Sequence, residues 1–356
     1  MALKLGLMLG YSGRHINIDY AQIQRAESLG FDSVWTAESW GSDAVSPLAW
    51  IGPQSKTLRL GTSIMQMPGR SPANTAMTAL TLQQLSGGRF VLGLGTSGPQ
   101  VVEGWHGKPW HKPLSLSREY ISIVKKIFAR EEKLDFSGEF FDIPYRGEHS
   151  KGLGKPLKSM IHPTQPVPIH LGSMSPKGQA LAGELCDGLH LTCLIPEKPE
   201  VIIDPVTAGF SQRQDGKAWQ DFEVITNAPV VVLNNPRESL DAAQGKMYGV
   251  KMGLALYIGG MGTKNKNFYK EYFERAGFES EANTIQSLFL SGKQEQAVAA
   301  VSDDMVRSVY LVGTRDEIAE RFSAWQQSPL TSLLLSAADN ASIEFIAELN
   351  STQAAD

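Results

Sequence analysis

Little in this chain is suited to cross-linking or metal coordination, since 356 residues contain only two cysteines and seven histidines. Cys186 falls on a predicted helix and Cys193 in a predicted strand, which favours buried free thiols over a disulfide. No grouping of His, Cys and Asp has metal-ligand spacing, so no metal is expected. A large excess of charge of either sign is missing too. With a formal net charge of -4 and no basic cluster, neither nucleic acid nor an anionic membrane is an expected partner. The longest apolar runs are strand-sized, so nothing is expected to span a bilayer, and Leu5 to Leu9 reads as a first strand rather than a signal-peptide core. These absences give a cytoplasmic location as the expectation. A G-x-S-x-G elbow and a P-loop are also absent. What is present is a chain 42% hydrophobic and 20% charged, long enough to bury a large core at a length where α/β barrels form one domain. A single domain over 1–356 is therefore expected.

Apolar runs alternate with helical patterns along most of the sequence, the signal for a parallel sheet covered by helices. Strands are predicted at Lys4–Gly10, Ser33–Ala37, Arg59–Met65, Arg89–Gly95, Val167–Gly172, Gly188–Leu194, within Phe222–Val232, and at Thr331–Ser336. Ile23, Ala26 and Leu29 mark a helix that stops at Gly30, and Ser71-Pro72 opens another running towards Gly87. Thr314-Arg315-Asp316-Glu317 reads as a capping box for a helix through Trp325. Two insertions break the rhythm. Residues 99–166 carry a helix near Ser117–Ala129, a hairpin through Leu134–Ile143 turning at Ser137 and Gly138, and a loop rich in Lys, Gly and Pro, in the position of a lid. Residues 235–308 are mostly helical, with a break at Gly259, Gly260 and Gly262. Eight strands separated by helices point to a closed (β/α)8 TIM barrel, with an open doubly wound sheet as the alternative. In a barrel, functional groups belong at the C-terminal ends of the strands.

The unusual residues sit at those ends. GGRFVLGLGTSGPQVVEGWHG runs from a buried strand through Gly93, Gly95 and Gly98 into a loop with Glu103, Trp105 and His106, and its bare backbone would let a flat or phosphorylated ligand approach closely. The three glycines spell G-x-G-x-x-G, but Pro99 and the later glycines leave no helix opening at Gly98 and no acidic residue follows at the required distance, so a dinucleotide fold is not expected. After strand two, Glu38 lies beside Trp40, a setting for acid/base work or, alternatively, for a structural hydrogen bond. After strand five, Ser173-Met174-Ser175-Pro176-Lys177 opens a helix whose unpaired N–H groups and nearby Lys177 suit either a phosphate or simple capping. His170 and His190 lie within strands and read as core residues.

Four stretches, VWTAESWGSDAVSPLAW, the long run from LRLGTSIMQMPGR to VVEGWHGKPW, PIHLGSMSPKGQALAGELCDGLHL, and LVGTRDEIAERF, together resemble the bacterial luciferase-like monooxygenase superfamily. Within it they are similar to the branch of oxidoreductases using coenzyme F420, an 8-hydroxy-5-deazaflavin. The resemblance implies a ring-shaped cofactor at the barrel rim against a non-prolyl cis peptide at Ser63–Ile64. It also implies Thr96, Ser97, Gly98 and Gln100 along the ring and ribityl chain, and Gly172, Ser173, Met174 and Lys177 on the phosphate. Sugar-phosphate and alcohol dehydrogenases of the superfamily place a histidine just after strand two, where this chain has Ser39, which disfavours alcohol oxidation. Proton transfer is then expected from Glu38 or Glu103, with His106 the weaker candidate, and Tyr11, Ser39, Trp40 and Trp105 are expected to line the substrate pocket. The expected reaction is hydride transfer between reduced coenzyme F420 and a small imine, enone or carbonyl. FMN is the alternative cofactor, in a monooxygenase supplied by a partner reductase, and a non-catalytic flavin-binding protein is a third reading. Relatives are commonly homodimers.

Overall fold

Strands β1 (Lys4–Met8), β2 (Ser33–Thr36), β3 (Arg59–Thr62), β4 (Phe90–Gly95), β5 (Ile169–Gly172), β6 (Gly188–Leu191), β7 (Glu223–Val232) and β8 (Ser332–Ser336) run parallel, each paired with the next. The computed structural model describes residues 2–11, 13–233 and 240–352. Lys4 to Leu7 register with Ser332 to Leu335, so β8 returns to β1 and the ring closes. The fold is thus the (β/α)8 barrel, and the open-sheet alternative is excluded.

Strands buried on both faces read as unbroken apolar runs rather than alternating ones. Their outer faces pack under the helices in the main core, while Trp35, Val91, Ile225 and Leu334, with Met8 against them, form a separate cluster inside the ring. Trp35 fills the centre. A Cβ on Gly61 would stand 2.1 Å from its Cζ3, so only a bare backbone on β3 admits the indole.

Two strands stop three residues before their predicted ends. β3 ends at Thr62, the Ser63–Ile64 peptide is cis, and Met65–Gln66 resumes pairing against Leu94 and Gly95 of β4. β6 stops at Leu191 instead of continuing to Leu194. An unanticipated strand, Leu311–Gly313, pairs with Val230 to Val232 in the second half of β7.

Among the described residues six α-helices precede β6. In α1 (Tyr20–Ser28) Asp19 caps the start and Gly30, at φ 80°, takes the left-handed turn after the end. After α2 (Ser46–Ile51) come α3 (Pro72–Leu85), capped by Ser71 as expected, and α4 (Pro99–Gly104). α5 (Pro113–Ala129) starts four residues earlier than its pattern suggests, and α6 (Pro176–Leu185) is capped by Ser175. In the first insertion Phe136–Ser137 pairs with Asp142–Ile143, and the Gly138 N–H donates to the Phe141 carbonyl at 2.9 Å, so the turn is 138–141 rather than Ser137–Gly138. The second insertion holds helices Leu240–Gly260, Phe268–Phe273, Glu279–Leu290, Gln294–Ala299 and Asp303–Val309. Its first helix ends at the expected glycines, and the expected helical residues 235–239 lie outside the described residues. The capping box at Thr314 and Glu317 is formed in both directions. Cys186 and Cys193 are buried thiols. Among the described residues no helix is long and apolar enough to cross a membrane, and no group of three or more His, Cys, Asp or Glu could hold a metal.

Candidate active site

Glu38, just past β2, does not stand free. Its Oε2 accepts the Ala44 N–H at 2.9 Å, and its Oε1 accepts the Gln66 N–H at 2.7 Å together with the Arg70 guanidinium. With the carboxylate 9% exposed and both oxygens engaged, Glu38 ties the loop after β2 to the loop after β3. It is a brace, and these contacts match the structural hydrogen-bond alternative that the sequence offers for Glu38 beside acid/base work.

The brace reaches a histidine. Gln66 Nε2 donates to the carbonyls of Glu38 at 3.1 Å and Ser39 at 3.3 Å, which leaves Gln66 Oε1 as the acceptor for His106 Nε2 at 2.7 Å. His106 therefore carries its proton on Nε2 and keeps a lone pair on Nδ1. Burial, with Lys108 and Arg70 adding to it against Glu38, holds this imidazole below its ordinary pKa, so it is neutral at neutral pH. Glu103 is exposed on α4, its Oε1 accepting the Trp110 N–H at 3.4 Å.

The glycine-rich segment has a different purpose from the one its composition suggests. A Cβ on Gly93 would lie 1.9 Å from the Thr62 carbonyl oxygen, and one on Gly95 would lie 2.1 Å from Ile64 Cδ1. These glycines make room for the protein's own bulge after β3, with Thr62 Oγ1 donating to the Gly93 carbonyl at 2.7 Å and accepting its N–H at 2.9 Å. A helix does open at the third glycine: Gly98 is the N-cap of α4, with Pro99 in its first turn. That corrects the reading of Pro99 as a breaker, because the first helical position needs no N–H. The closed barrel still excludes a dinucleotide fold. Thr96 and Ser97 follow β4 half-buried, Ser97 in the left-handed region at φ 59°. Gln100 Nε2 donates to the carbonyls of Gly260 at 3.0 Å and Gly262 at 2.6 Å, latching α4 to the helical insertion.

The turn between β5 and α6 gathers unsatisfied donors. The Ser173 N–H donates to the His190 carbonyl, the Ser175 N–H to Ser173 Oγ, and the Gly178 N–H to Ser175 Oγ. Among the described residues no acceptor faces the amides of Met174 and Lys177, the next donors of this helix start. Lys177 is exposed and in no ion pair there. Arg275 Nη2 donates to the Met174 carbonyl at 3.3 Å, likewise without an ion pair, and burial lowers its pKa while Glu271 raises it. A groove of about 250 Å³ continues outward along Leu114, Ser115, Arg118, Lys177, Ala180 and Glu184.

The opposite wall is aromatic. Tyr11 bonds to the Tyr257 hydroxyl, Tyr257 packs on Tyr269 with ring centres 4.7 Å apart, and Tyr269 bonds to Thr192. Burial pushes the Tyr269 phenol up to about 12 and Tyr257 well above its ordinary value, so both stay protonated. Strand alternation from Ile225 puts Asn227 on the inner face of β7, and its Oδ1 is shielded from solvent without a hydrogen-bond partner among the described residues. Ser39 is half-buried, whereas Trp40 and Trp105 are 57% and 66% exposed, available to a bound molecule rather than packed into the protein. Sequence reasoning missed Gln66, Arg70, Asn227 and Arg275, which no motif marks.

Three comparisons give this geometry a context. The profile of the luciferase-like monooxygenase family matches residues 5–332. A Mycobacterium tuberculosis protein named as a coenzyme F420-dependent oxidoreductase is 39% identical over 349 residues, which are 98% of this chain and 99% of the relative. A 5,10-methylenetetrahydromethanopterin reductase of Archaeoglobus fulgidus is 25% identical over 338 residues, covering 93% of this chain and 92% of the relative. Among solved structures, the coenzyme F420-dependent tetrahydromethanopterin reductase of Methanopyrus kandleri shares the fold at a TM-score of 0.73 and 18% identity, with 98% of both chains covered. The chain belongs to the luciferase-like monooxygenase family, a family of oxidoreductases.

Proposed function

We propose that this protein is a coenzyme F420-dependent oxidoreductase that presents a small unsaturated substrate, an imine, enone or carbonyl, for hydride transfer. The observation that carries the reading is the turn after β5, where two amides without acceptors among the described residues lie beside Lys177 and Arg275. An anionic cofactor tail satisfies that donor set, and the groove beyond Lys177 gives the tail a path outward. Asn227 Oδ1, shielded on the inner barrel face, suits an N–H of a heterocyclic ring. The 39% identity to a relative named for this coenzyme supports the same choice.

The bound deazaflavin supplies the hydride. The remaining work falls to the chain's own side chains. Glu38 and Arg70 fix Gln66, and Gln66 fixes the His106 tautomer, so Nδ1 takes up the proton when substrate is oxidised, and in the direction of reduction it first takes a proton from solvent and passes it to the substrate. Trp40 and Trp105 exclude water once substrate covers them. Titrating the purified protein separately with coenzyme F420 and with FMN, followed by fluorescence, tests the assignment. Saturable binding of coenzyme F420 is expected. Saturable binding of FMN alone, with oxygen consumed once the flavin is reduced, would overturn it in favour of a monooxygenase.

A further inference from the structure

A chain of polar side chains crosses the barrel core beneath the candidate site. At the N-terminal ends of the strands, Glu223 of β7 accepts from Lys4 Nζ at 2.8 Å and from Arg59 Nη1 at 3.0 Å. Its Oε2 lies 3.6 Å from His170 Nε2. His170 Nδ1 meets His190 Nε2 at 3.1 Å, and His190 Nδ1 meets Ser63 Oγ at 3.0 Å. Both imidazoles are buried, and Trp35 packs against each. The series thus runs from a charged cluster on one face of the barrel to a half-buried serine on the other.

Only two arrangements of protons satisfy this series, since each contact between heteroatoms holds one hydrogen. Burial pushes His170 down to about 4, with Glu223 offsetting part of the effect, and burial with His170 beside it holds His190 well below its ordinary value, so both rings are neutral at neutral pH. In one arrangement His170 turns a lone pair towards the Glu223 carboxylate. In the other it turns Nε2–H there. Burial raises Glu223, but His170, Arg59 and Lys4 outweigh it and hold the carboxyl at about 2, so it is ionised and repels the lone pair. His170 then accepts at Nδ1, His190 donates from Nε2 and accepts at Nδ1, and Ser63 donates inward.

We propose that Glu223, His170 and His190 are positioning residues that turn the Ser63 hydroxyl proton into the core, so that Ser63 Oγ faces the barrel mouth purely as a hydrogen-bond acceptor. Such an oxygen selects for a ligand bearing an N–H or O–H over Ser63 and disfavours one bearing only acceptors. The deazaflavin reading enters at one point, the identity of that ligand.

Two measurements test the proposal. Long-range proton–nitrogen correlation on ¹⁵N-histidine-labelled protein without ligand reports each tautomer directly, and His170 and His190 are both expected as neutral Nε2–H forms. An Nδ1–H form or an imidazolium at either position near neutral pH would overturn the wiring. In Ser63→Ala the acceptor is gone while the fold keeps its core histidines, and affinity for coenzyme F420 without substrate is expected to fall about fivefold to tenfold. Unchanged affinity would remove the acceptor role. Wild-type protein that binds neither coenzyme F420 nor FMN would refute the functional reading instead, while the nitrogen shifts still decide the wiring.

Discussion

His106 is the side chain whose chemistry depends most on partners far along the chain. Its tautomer is set by Gln66, 40 residues away, and Gln66 is held by Glu38, a further 28 residues back. Replacing His106 with Ala removes the lone pair at Nδ1 without disturbing the turn after β5. Turnover is expected to fall about a hundredfold while cofactor affinity, measured by fluorescence titration, stays within about twofold of wild type. Turnover unchanged in that variant would return the proton to Glu103 or to water. Sequence pattern brought Glu38 and His106 to notice because each lies in the connection that follows an apolar strand. It placed His106 behind Glu38. The difference between a carboxylate saturated by Arg70 and two amides and an imidazole with one lone pair free is a fact of contacts across the rim, and Arg70 carries no local signal of its role.

Helix starts were the most legible elements, because a cap is written in three or four adjacent residues. Ser71, Ser175 and Thr314 all accept the N–H three residues on, as their spacing suggests. Strand positions were legible to within a few residues, since a doubly buried strand is an unbroken apolar run. Leu311–Gly313 was not, because three residues are too short to show a period, and α4 was hidden by taking Pro99 for a stop when Pro opens a first turn without loss. The caps also permit a controlled experiment. Ser175→Ala and Thr314→Ala each remove one side-chain acceptor and are each expected to lower stability by about 1 kcal/mol in urea unfolding. Only Ser175→Ala should also weaken cofactor binding, since Ser175 shapes the turn where the amides of Met174 and Lys177 lie, whereas Thr314 caps a helix of the last α/β unit. Equal loss of binding in both variants would show that the turn after β5 is not where the cofactor tail rests.

The whole barrel is built around polar groups that its sequence hides among apolar runs, and this makes its stability depend on pH in a particular window. His170 is buried and held at about 4, against about 6.5 in an unfolded chain. As pH falls through that interval the unfolded chain takes up a proton that the folded one refuses, so stability falls, by roughly 3 kcal/mol from this group alone. His190 and His106, both depressed, act in the same direction. Glu223 acts later. Its stabilising contribution is complete above about 4.5 and is lost as pH falls towards about 2, an interval it shares with Glu27 and Asp215, both also held at about 2. The loss between pH 6.5 and 4 therefore reports the histidines, and only the loss below that reports the carboxylates. The groups acting on His170 are Glu223 on β7, Asp187 before β6, Arg59 on β3, Lys4 on β1 and His190 on β6, whereas His106 lies outside this series and contributes to the slope equally with and without His170. His170→Gln keeps an amide able to bond His190 but cannot titrate. Urea unfolding from pH 7.5 to 4 is expected to show this variant less stable than wild type at pH 7.5 and more shallowly dependent on pH below 6.5, so that the two curves converge. An undiminished slope in His170→Gln would mean that the core imidazoles are not what acid attacks first.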